Sequence, residues 1–219
     1  MDETIGVEGL RLTRDEAMAL VRSAVAAVAP GEDAVADEVV RRKAFELLGR
    51  DSESLSSRNF SRILRDAGYA TGHFGKWHLG PVKADSPTNP GRMGFDEWLS
   101  HDNFFELDPW LSRNGGPPER FKGESSEIIM AEALRFIDRA RQAGKPFLAV
   151  VWFGSPHEPY SGLPADLALY DRLPADFGNR QVKLTSNETG RNVERLQREV
   201  LRERFAEITA MDRSIGMLR

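Results

Sequence analysis

An unbroken apolar run at residues 147–153 constrains the fold of this chain more than any other feature. The run reads Phe-Leu-Ala-Val-Val-Trp-Phe, which is far too short to span a membrane. Such a run is typical of a strand that is covered on both faces in a parallel sheet. An amphipathic helix is predicted before it, beginning at Ser125 or Ser126 and closing at 144–146, and a shorter strand is predicted at 69–74. Strand, crossover helix and strand form a βαβ unit, so the sequence predicts an α/β fold.

Two loops with basic side chains follow the two predicted strands. The loop at 75–80 holds Lys76 and His78, and the loop at 154–159 holds His157 between prolines. Parallel sheets bind ligands beyond the carboxyl ends of their strands, so both loops are candidate site loops. Residues two apart in an extended loop project to the same side, so Lys76 and His78 could converge on one small anion. Residues of these types are nevertheless more often surface or core residues, and the loops alone leave both interpretations open.

Composition excludes several classes of protein. The chain carries 30 Lys and Arg against 34 Asp and Glu, which gives a net charge of −4 and no basic footprint for nucleic acid. No apolar stretch is long enough to predict a membrane span, and the acidic first residues do not resemble a secretory signal, so a cytoplasmic product is expected as written. Cysteine is absent, which excludes disulfides, thiolate metal sites and a nucleophile derived from cysteine.

The first part of the chain differs in composition from the rest. All histidines, tryptophans and tyrosines lie beyond Phe60, which indicates a boundary between a segment at 1–58 and a domain at 59–219. Thr13 and Glu16 form a capping box, and apolar residues at helical spacing follow until residue 30. A second amphipathic pattern at 35–48 ends at a glycine. The first segment is therefore predicted to be small and helical.

One stretch of this segment resembles another kind of protein. Leu-Gly-Arg-Asp-Ser at 48–52 is similar to the Leu-Gly-x-Asp-Ser stretch of acyl carrier proteins. That resemblance implies that Ser52 carries phosphopantetheine. The favoured alternative is that Asp51, Ser52 and Ser54 are loop and cap residues that open a helix.

A longer resemblance begins at the strand predicted at 69–74 and continues through the loop that follows it. The stretch at 67–80, Ala-Gly-Tyr-Ala-Thr-Gly-His-Phe-Gly-Lys-Trp-His-Leu-Gly, closely resembles the second sequence motif of the sulfatases, which belong to the alkaline phosphatase superfamily. Further segments resemble this family in the family's order: Pro90-Gly91, Gly94 to Trp98, Asn103-Phe104-Phe105, Ser112 to Gly115, Phe147 to Pro159, and Ile208 to Asp212. The resemblance implies a partial alkaline-phosphatase-like core, with a mainly parallel sheet flanked by helices, over 59–219.

The resemblance also implies roles for the basic residues. In sulfatases the residues that match Lys76 and His157 bind the sulfate oxygens of the substrate, and the residue that matches His78 hydrogen-bonds the nucleophile. The substrate implied is a small sulfate ester or a sulfated sugar. Fixed cations stabilise the charge that develops when a sulfate ester is cleaved, and His157 could protonate the leaving oxygen. We interpret His73 and His101 as structural or surface residues.

The sequence departs from the family pattern at the nucleophile and at the metal. Sulfatases carry Cys or Ser in Cys/Ser-x-Pro-Ser-Arg, and this residue becomes formylglycine; the nearest imitation, at 54–58, has serine in place of proline. Calcium is expected for the family, but neither its Asp-Asp pair nor its Asp-Asn-Gly occurs, so no metal ligand is assigned. Asp102-Asn103 lacks the glycine and stands elsewhere in the order.

These departures leave three interpretations open. The preferred one is an internal piece of a sulfatase that is inactive alone, with an exposed sheet edge that favours self-association. The second is a pseudoenzyme that binds sulfate or another anion through Lys76, His78 and His157. The third is an acyl-carrier-like fusion that uses Ser52.

A final amphipathic helix is predicted from Val193 to Ile215.

Overall fold

The computed structural model describes residues 4–7, 10–13, 60–158, 160–174, 178, 180–185 and 191–218. Strands β1 (Thr4–Val7) and β2 (Leu10–Thr13) form an antiparallel pair, with Thr4 opposite Thr13. The sequence did not predict this pair. The helices predicted between Glu16 and residue 48, the Ser52 hypothesis and the stretch at 54–58 lie outside the described residues.

The domain consists of one mixed sheet, its flanking helices and a small hairpin. The elements are α1 (Phe60–Asp66), β3 (Ala70–Lys76), β4 (Glu97–His101), β5 (Trp110–Arg113), β6 (Glu119–Arg120), α2 (Ser125–Gln142), β7 (Phe147–Trp152), α3 (Pro164–Ala168), β8 (Gln181–Thr185), β9 (Asn192–Leu196) and α4 (Gln197–Gly216). The main sheet has five strands in the order β6-β5-β4-β3-β7. Strand β3 pairs in parallel with both β4 and β7, whereas β5 and β6 are antiparallel. The α/β fold is as predicted.

Helix α2 is the crossover that precedes β7, as its amphipathic pattern predicts. Its buried apolar residues recur at helical spacing at Ile129, Ala133, Phe136 and Ala140. The cap differs from the prediction, because Glu124 precedes the helix and its carboxylate accepts the Glu127 backbone N–H at 3.0 Å. Ser125 and Ser126 are instead the first residues of the helix, and both are buried.

Two apolar cores cover the two faces of the sheet. Helix α2 packs over Phe74, Leu99 and Leu111, and the partly buried Phe147, Ala149, Val151 and Phe153 pack against this core. Leu148 belongs to the second core, on the other face, with Leu64, Tyr69, Trp77, Val82 and Phe95; Val150 packs against it. Both faces of β7 are therefore covered, as predicted. Among the described strands, however, β7 pairs with β3 alone, and its last residue, Trp152, is 43% exposed.

The C-terminal elements correct one prediction. Val193 does not begin the final helix, because it lies in β9 and pairs with Leu184 of β8. The helix begins at Gln197, and its buried residues include Val200, Ala206 and Ala210. The apolar spacing that begins at Val193 also fits a helix, but hydrogen bonding of β9 to β8 makes this part of the chain a strand. No helix in the described part of the chain is long and apolar enough to cross a bilayer.

Candidate functional site

The site begins where the parallel strands β3 and β7 end side by side. In their register Gly75 lies opposite Trp152, and Lys76 lies opposite His101 of β4. Gly75 has a φ of +106°, and a Cβ at this position would stand 2.0 Å from the Trp152 carbonyl oxygen. Only glycine allows this approach. The two strand ends are therefore held together directly beneath Lys76.

Trp77 anchors the loop that follows β3. Its side chain is almost fully buried, its Nε1–H donates to the Thr88 carbonyl at 2.8 Å, and its ring stacks on Trp152 at 5.9 Å. The backbone N–H groups of Trp77 and His78 donate to the carbonyls of His101 and Asp102, each at 2.9 Å. These bonds continue the β3-β4 ladder past Lys76. The anchored loop fixes the directions of the Lys76 and His78 side chains.

The side chain of Phe104, in the loop between β4 and β5, is where the three predicted site residues meet. The Lys76 Nζ lies 3.4 Å from the centroid of its ring. The His157 imidazole stacks on the same ring, with a centroid separation of 3.3 Å and an angle of 10°. The His78 imidazole meets the ring edge-on at 5.7 Å. The structure therefore brings Lys76, His78 and His157 to one place, although their roles remain a proposal.

Lys76 and His157 lie on opposite faces of the Phe104 ring. A nitrogen and a parallel ring that both stood about 3.4 Å above the same centroid on one face would overlap. The two distances bring Nζ to within about 7 Å of the centre of the His157 ring. A cation over an aromatic face is attracted by the ring quadrupole. Partial burial lowers the pKa of Lys76, because removal from water disfavours the charged form.

His157 is exposed, and one hydrogen bond determines which of its ring nitrogens carries the proton. Its Nδ1 lies 2.7 Å from the carbonyl oxygen of Glu158, which can only accept a hydrogen bond, so Nδ1 carries the proton and donates it. Nε2 is then an acceptor in the neutral ring and a donor in the protonated ring. The backbone N–H of His157 donates to the Gly154 carbonyl at 3.2 Å, which tightens the loop.

The sequence did not reveal Glu207, which lies against the loop that carries His157. Its Oε1 accepts the Ser161 backbone N–H at 2.9 Å, and the Ser155 side chain lies close enough to the same carboxyl group to favour its charged form. Burial, reinforced by the nearby carboxylates of Glu124 and Glu106, raises the pKa of Glu207 to about 8. A signal was available: Glu207 stands on the buried face of α4 with Val200, Ala210 and Ser214, where a charged residue is unexpected.

Phe104 is not among the site residues that the sequence predicts, although Asn103-Phe104-Phe105 resembles sulfatase sequence. The other two histidines are structural in their contacts. His73 is fully buried, its Nδ1 lies 2.8 Å from the Ser100 hydroxyl oxygen, and burial lowers its pKa to about 3, so the ring is neutral at neutral pH. The His101 Nδ1 accepts the backbone N–H of Asn103 at 3.1 Å.

The described residues do not fit a metal ion. No three metal-ligating side chains come together within that part of the chain. The Oδ1 of Asp102 accepts the Val82 backbone N–H at 2.7 Å, so this carboxylate supports the loop after Trp77. Sulfatases generally use calcium, but its ligands are not found among these residues.

Comparison with known proteins agrees with the geometry. The family model described as Sulfatase matches residues 33–219, beginning before the boundary predicted at 59. An ulvan-active sulfatase from Formosa agariphila is 29% identical over 72% of this chain and 30% of its own length. An N-acetylglucosamine-6-O-sulfatase from Bacteroides thetaiotaomicron is 28% identical over 52% of this chain and 19% of its own length.

The fold is similar to that of solved structures as well. A Bacteroides fragilis protein, yidJ, described as a sulfatase, superposes with a TM-score of 0.55 at 25% identity, over 73% of this chain and 38% of its own. The chain thus spans well under half of the length of these relatives. Because the family model covers most of the sequence and the sheet agrees, the chain belongs to the sulfatase family.

Proposed function

We propose that this chain binds the sulfate group of a sulfate ester between the Lys76 ammonium and the His157 imidazole, with His78 at the edge of the site. The observation that carries the proposal is that all three side chains contact the one ring of Phe104. Two loops that lie about 80 residues apart in the sequence therefore present basic groups to the same small volume. A sulfate ester is an anion with several acceptor oxygens, which is the ligand that such groups attract.

The separation of the two basic groups suits a tetrahedral oxyanion. Nζ of Lys76 lies within about 7 Å of the centre of the His157 ring. Donors on opposite sides of a sulfate, each at a hydrogen-bond length of about 2.8 Å from an oxygen, stand roughly 6–7 Å apart. The sulfate would replace the Phe104 ring, so binding requires that this ring rotate out of the space between the two groups.

The chemistry assigned to each residue follows from its contacts. Lys76 supplies a fixed positive charge to the sulfate oxygens. The His157 imidazole turns its face to Phe104, so it must rotate to direct an N–H at the bound ester, where a protonated ring donates a hydrogen bond and can protonate the leaving oxygen. By its resemblance to the matching residue of sulfatases, His78 is assigned the hydrogen bond to the nucleophile.

We do not expect this chain to hydrolyse a sulfate ester by itself. The sequence has no cysteine and no Ser-x-Pro-Ser-Arg, so the residue that sulfatases convert to formylglycine has no counterpart in it. We infer that the chain holds the sulfate-contacting part of a sulfatase and does not turn over an ester by itself. A non-catalytic anion-binding role uses the same residues and is the second candidate, favoured by the same contacts around Phe104.

A sulfated sugar is the substrate class that we favour. One relative is named for ulvan and another for the 6-O-sulfate of N-acetylglucosamine. The site is also open on the side of His78 and His157, both of which are exposed, so a saccharide attached to the sulfate has room outside the loops.

Calorimetric titration with N-acetylglucosamine 6-sulfate, with unsulfated N-acetylglucosamine as the control ligand, tests the proposal. The sulfated sugar should bind, the plain sugar should not, and Lys76→Ala should weaken binding at least tenfold. Lys83→Ala is the matched control, because Lys83 is an exposed lysine that pairs with Asp85. An aryl sulfate should not be hydrolysed. Equal loss of binding in both lysine variants, or calcium-dependent turnover by the purified chain, would contradict the proposal.

A further inference from the structure

The loop at 154–162, which carries His157, contacts one buried side chain near both of its ends. Near its start the side chain of Ser155 lies close enough to the carboxyl group of Glu207 to influence its pKa. Near its end the backbone N–H of Ser161 donates to Oε1 of the same group at 2.9 Å. Glu207 lies 46 residues after Ser161, on α4, and its side chain is 5% exposed.

Neighbouring contacts tie the same loop to the loop that carries Phe104. The backbone at Gly154 packs against the Phe105 carbonyl oxygen, where a Cβ would stand 2.7 Å away. The Ser161 hydroxyl accepts the Leu107 backbone N–H at 3.2 Å. At Gly162 a Cβ would stand 2.7 Å from the Cβ of Ala206, the residue before Glu207. The position of His157 against Phe104 therefore depends on how this loop sits on α4.

We propose that Glu207 is a positioning residue for sulfate binding: its carboxyl group holds the two ends of the 154–162 loop and thereby keeps His157 opposite Lys76. This inference rests on the proposed sulfate site for its functional consequence. The restraint on the loop, in contrast, follows from the contacts of Glu207 alone.

The surroundings of Glu207 make the restraint sensitive to its protonation. Its Oε2 is buried and has no hydrogen-bond partner. The carboxylates of Glu124 and Glu106 lie near enough to repel a charge on it, and Tyr160, itself near Arg204, is a further titratable neighbour. Burial raises the pKa of Glu207 to about 8 from the ordinary 4.5, so the loop is held mainly by the neutral acid at neutral pH.

The direction of the pH effect follows from linkage. In the fastened arrangement the carboxyl keeps its proton up to about pH 8, whereas a Glu207 released to water would lose it near 4.5. Rising pH between these two values therefore favours release of the loop, and above about pH 8 the effect levels off. Glutamine has the shape of the neutral acid and cannot ionise, so Glu207→Gln removes this dependence while keeping an acceptor for Ser161.

The experiment compares wild type with Glu207→Gln between pH 5 and 8.5, using two readouts. Hydrogen–deuterium exchange of the Ser161 amide, corrected for its intrinsic pH dependence, should become at least threefold faster in wild type across this range and stay level in the variant. The affinity for N-acetylglucosamine 6-sulfate, measured as the ratio of variant to wild type, should rise by about three- to tenfold over the same range. The pH dependence of the groups that both proteins share cancels in the ratio.

Two further variants separate the possible outcomes. Glu199→Gln, an exposed position on the same helix, should behave as wild type in both readouts. Ser155→Ala removes one of the two loop contacts and should speed Ser161 exchange at every pH. Identical pH dependence of exchange in wild type and Glu207→Gln would overturn the inference. Loop exchange that responds as described, with no binding of the sulfated sugar to either protein, would support the restraint and overturn the sulfate site.

Discussion

Replacement of Phe104 by alanine should increase the affinity for a sulfate ester. The ring fills the space between Lys76 and His157, so a ligand can enter this space only when the ring moves. A ligand that needs this space binds only the fraction of molecules in which the ring has rotated away, and its apparent affinity is reduced by that fraction. Alanine at position 104 leaves the space open in every molecule.

The magnitude follows from the two contacts that hold the ring. A cation over an aromatic face contributes about 0.5–2 kcal/mol, depending on its exposure. A stacked aromatic pair adds about 0.5–1.5 kcal/mol. Together these terms favour the closed ring by about 1–3.5 kcal/mol, so Phe104→Ala should lower the dissociation constant of N-acetylglucosamine 6-sulfate by roughly 5- to 400-fold.

Phe104→Leu is the control that separates the bulk of the ring from its π-face. Leucine fills much of the same space but offers no quadrupole to the Lys76 ammonium, so it should give an intermediate gain. Both variants are measured by the same calorimetric titration as wild type. If Phe104→Ala binds the sulfated sugar no better than wild type, or more weakly, the ring supports the ligand instead of excluding it, and the reasoning is wrong.

Three other expectations follow from the packing. Gly75→Ala should destabilise the domain by about 3 kcal/mol or more, because its Cβ meets the Trp152 carbonyl; Gly68→Ala, where the added Cβ meets nothing within 4 Å, should cost less in denaturant unfolding. Glu207→Gln should raise the free energy of unfolding on the order of 3 kcal/mol at pH 8 and leave it unaltered below pH 4.5. The reason is that the buried carboxyl of wild type must keep its proton while the unfolded chain loses it, which lowers wild-type stability as pH rises from 4.5 to about 8. Melting curves across this range check the sign. The edge of β7 that no described strand pairs with should give concentration-dependent association in sedimentation velocity, and a monomer at every concentration would argue against an available edge.

The sequence predicted the parts of the fold that depend on local patterns. The apolar run at 147–153 fits a strand covered on both faces, and the apolar period of 125–142 fits the crossover helix. The glycine-bounded loop with Lys76 and His78 was found in the same way, because its residues are neighbours along the chain. The sulfatase family could likewise be inferred from motifs, and the family match supports it.

Elements whose local signals conflict with long-range contacts were predicted less well. Val193 fits a helical stripe but is held in β9 by its partner in β8. Glu124 caps α2 in place of the serines that follow it, because its carboxylate reaches the Glu127 N–H. Sequence periodicity records one element at a time and does not report which neighbour completes its hydrogen bonds.

The sequence by itself determined the family, the α/β fold and the two loops that carry Lys76, His78 and His157. Only the tertiary structure decided that these loops meet on the ring of Phe104 and that Glu207 fastens one of them. The physical reason is that both arrangements join residues far apart in the chain, where the parallel strands end and α4 packs. Local propensity governs which residues form strands and helices. Burial and close packing of distant segments govern which residues contact a basic side chain such as Lys76 or His157.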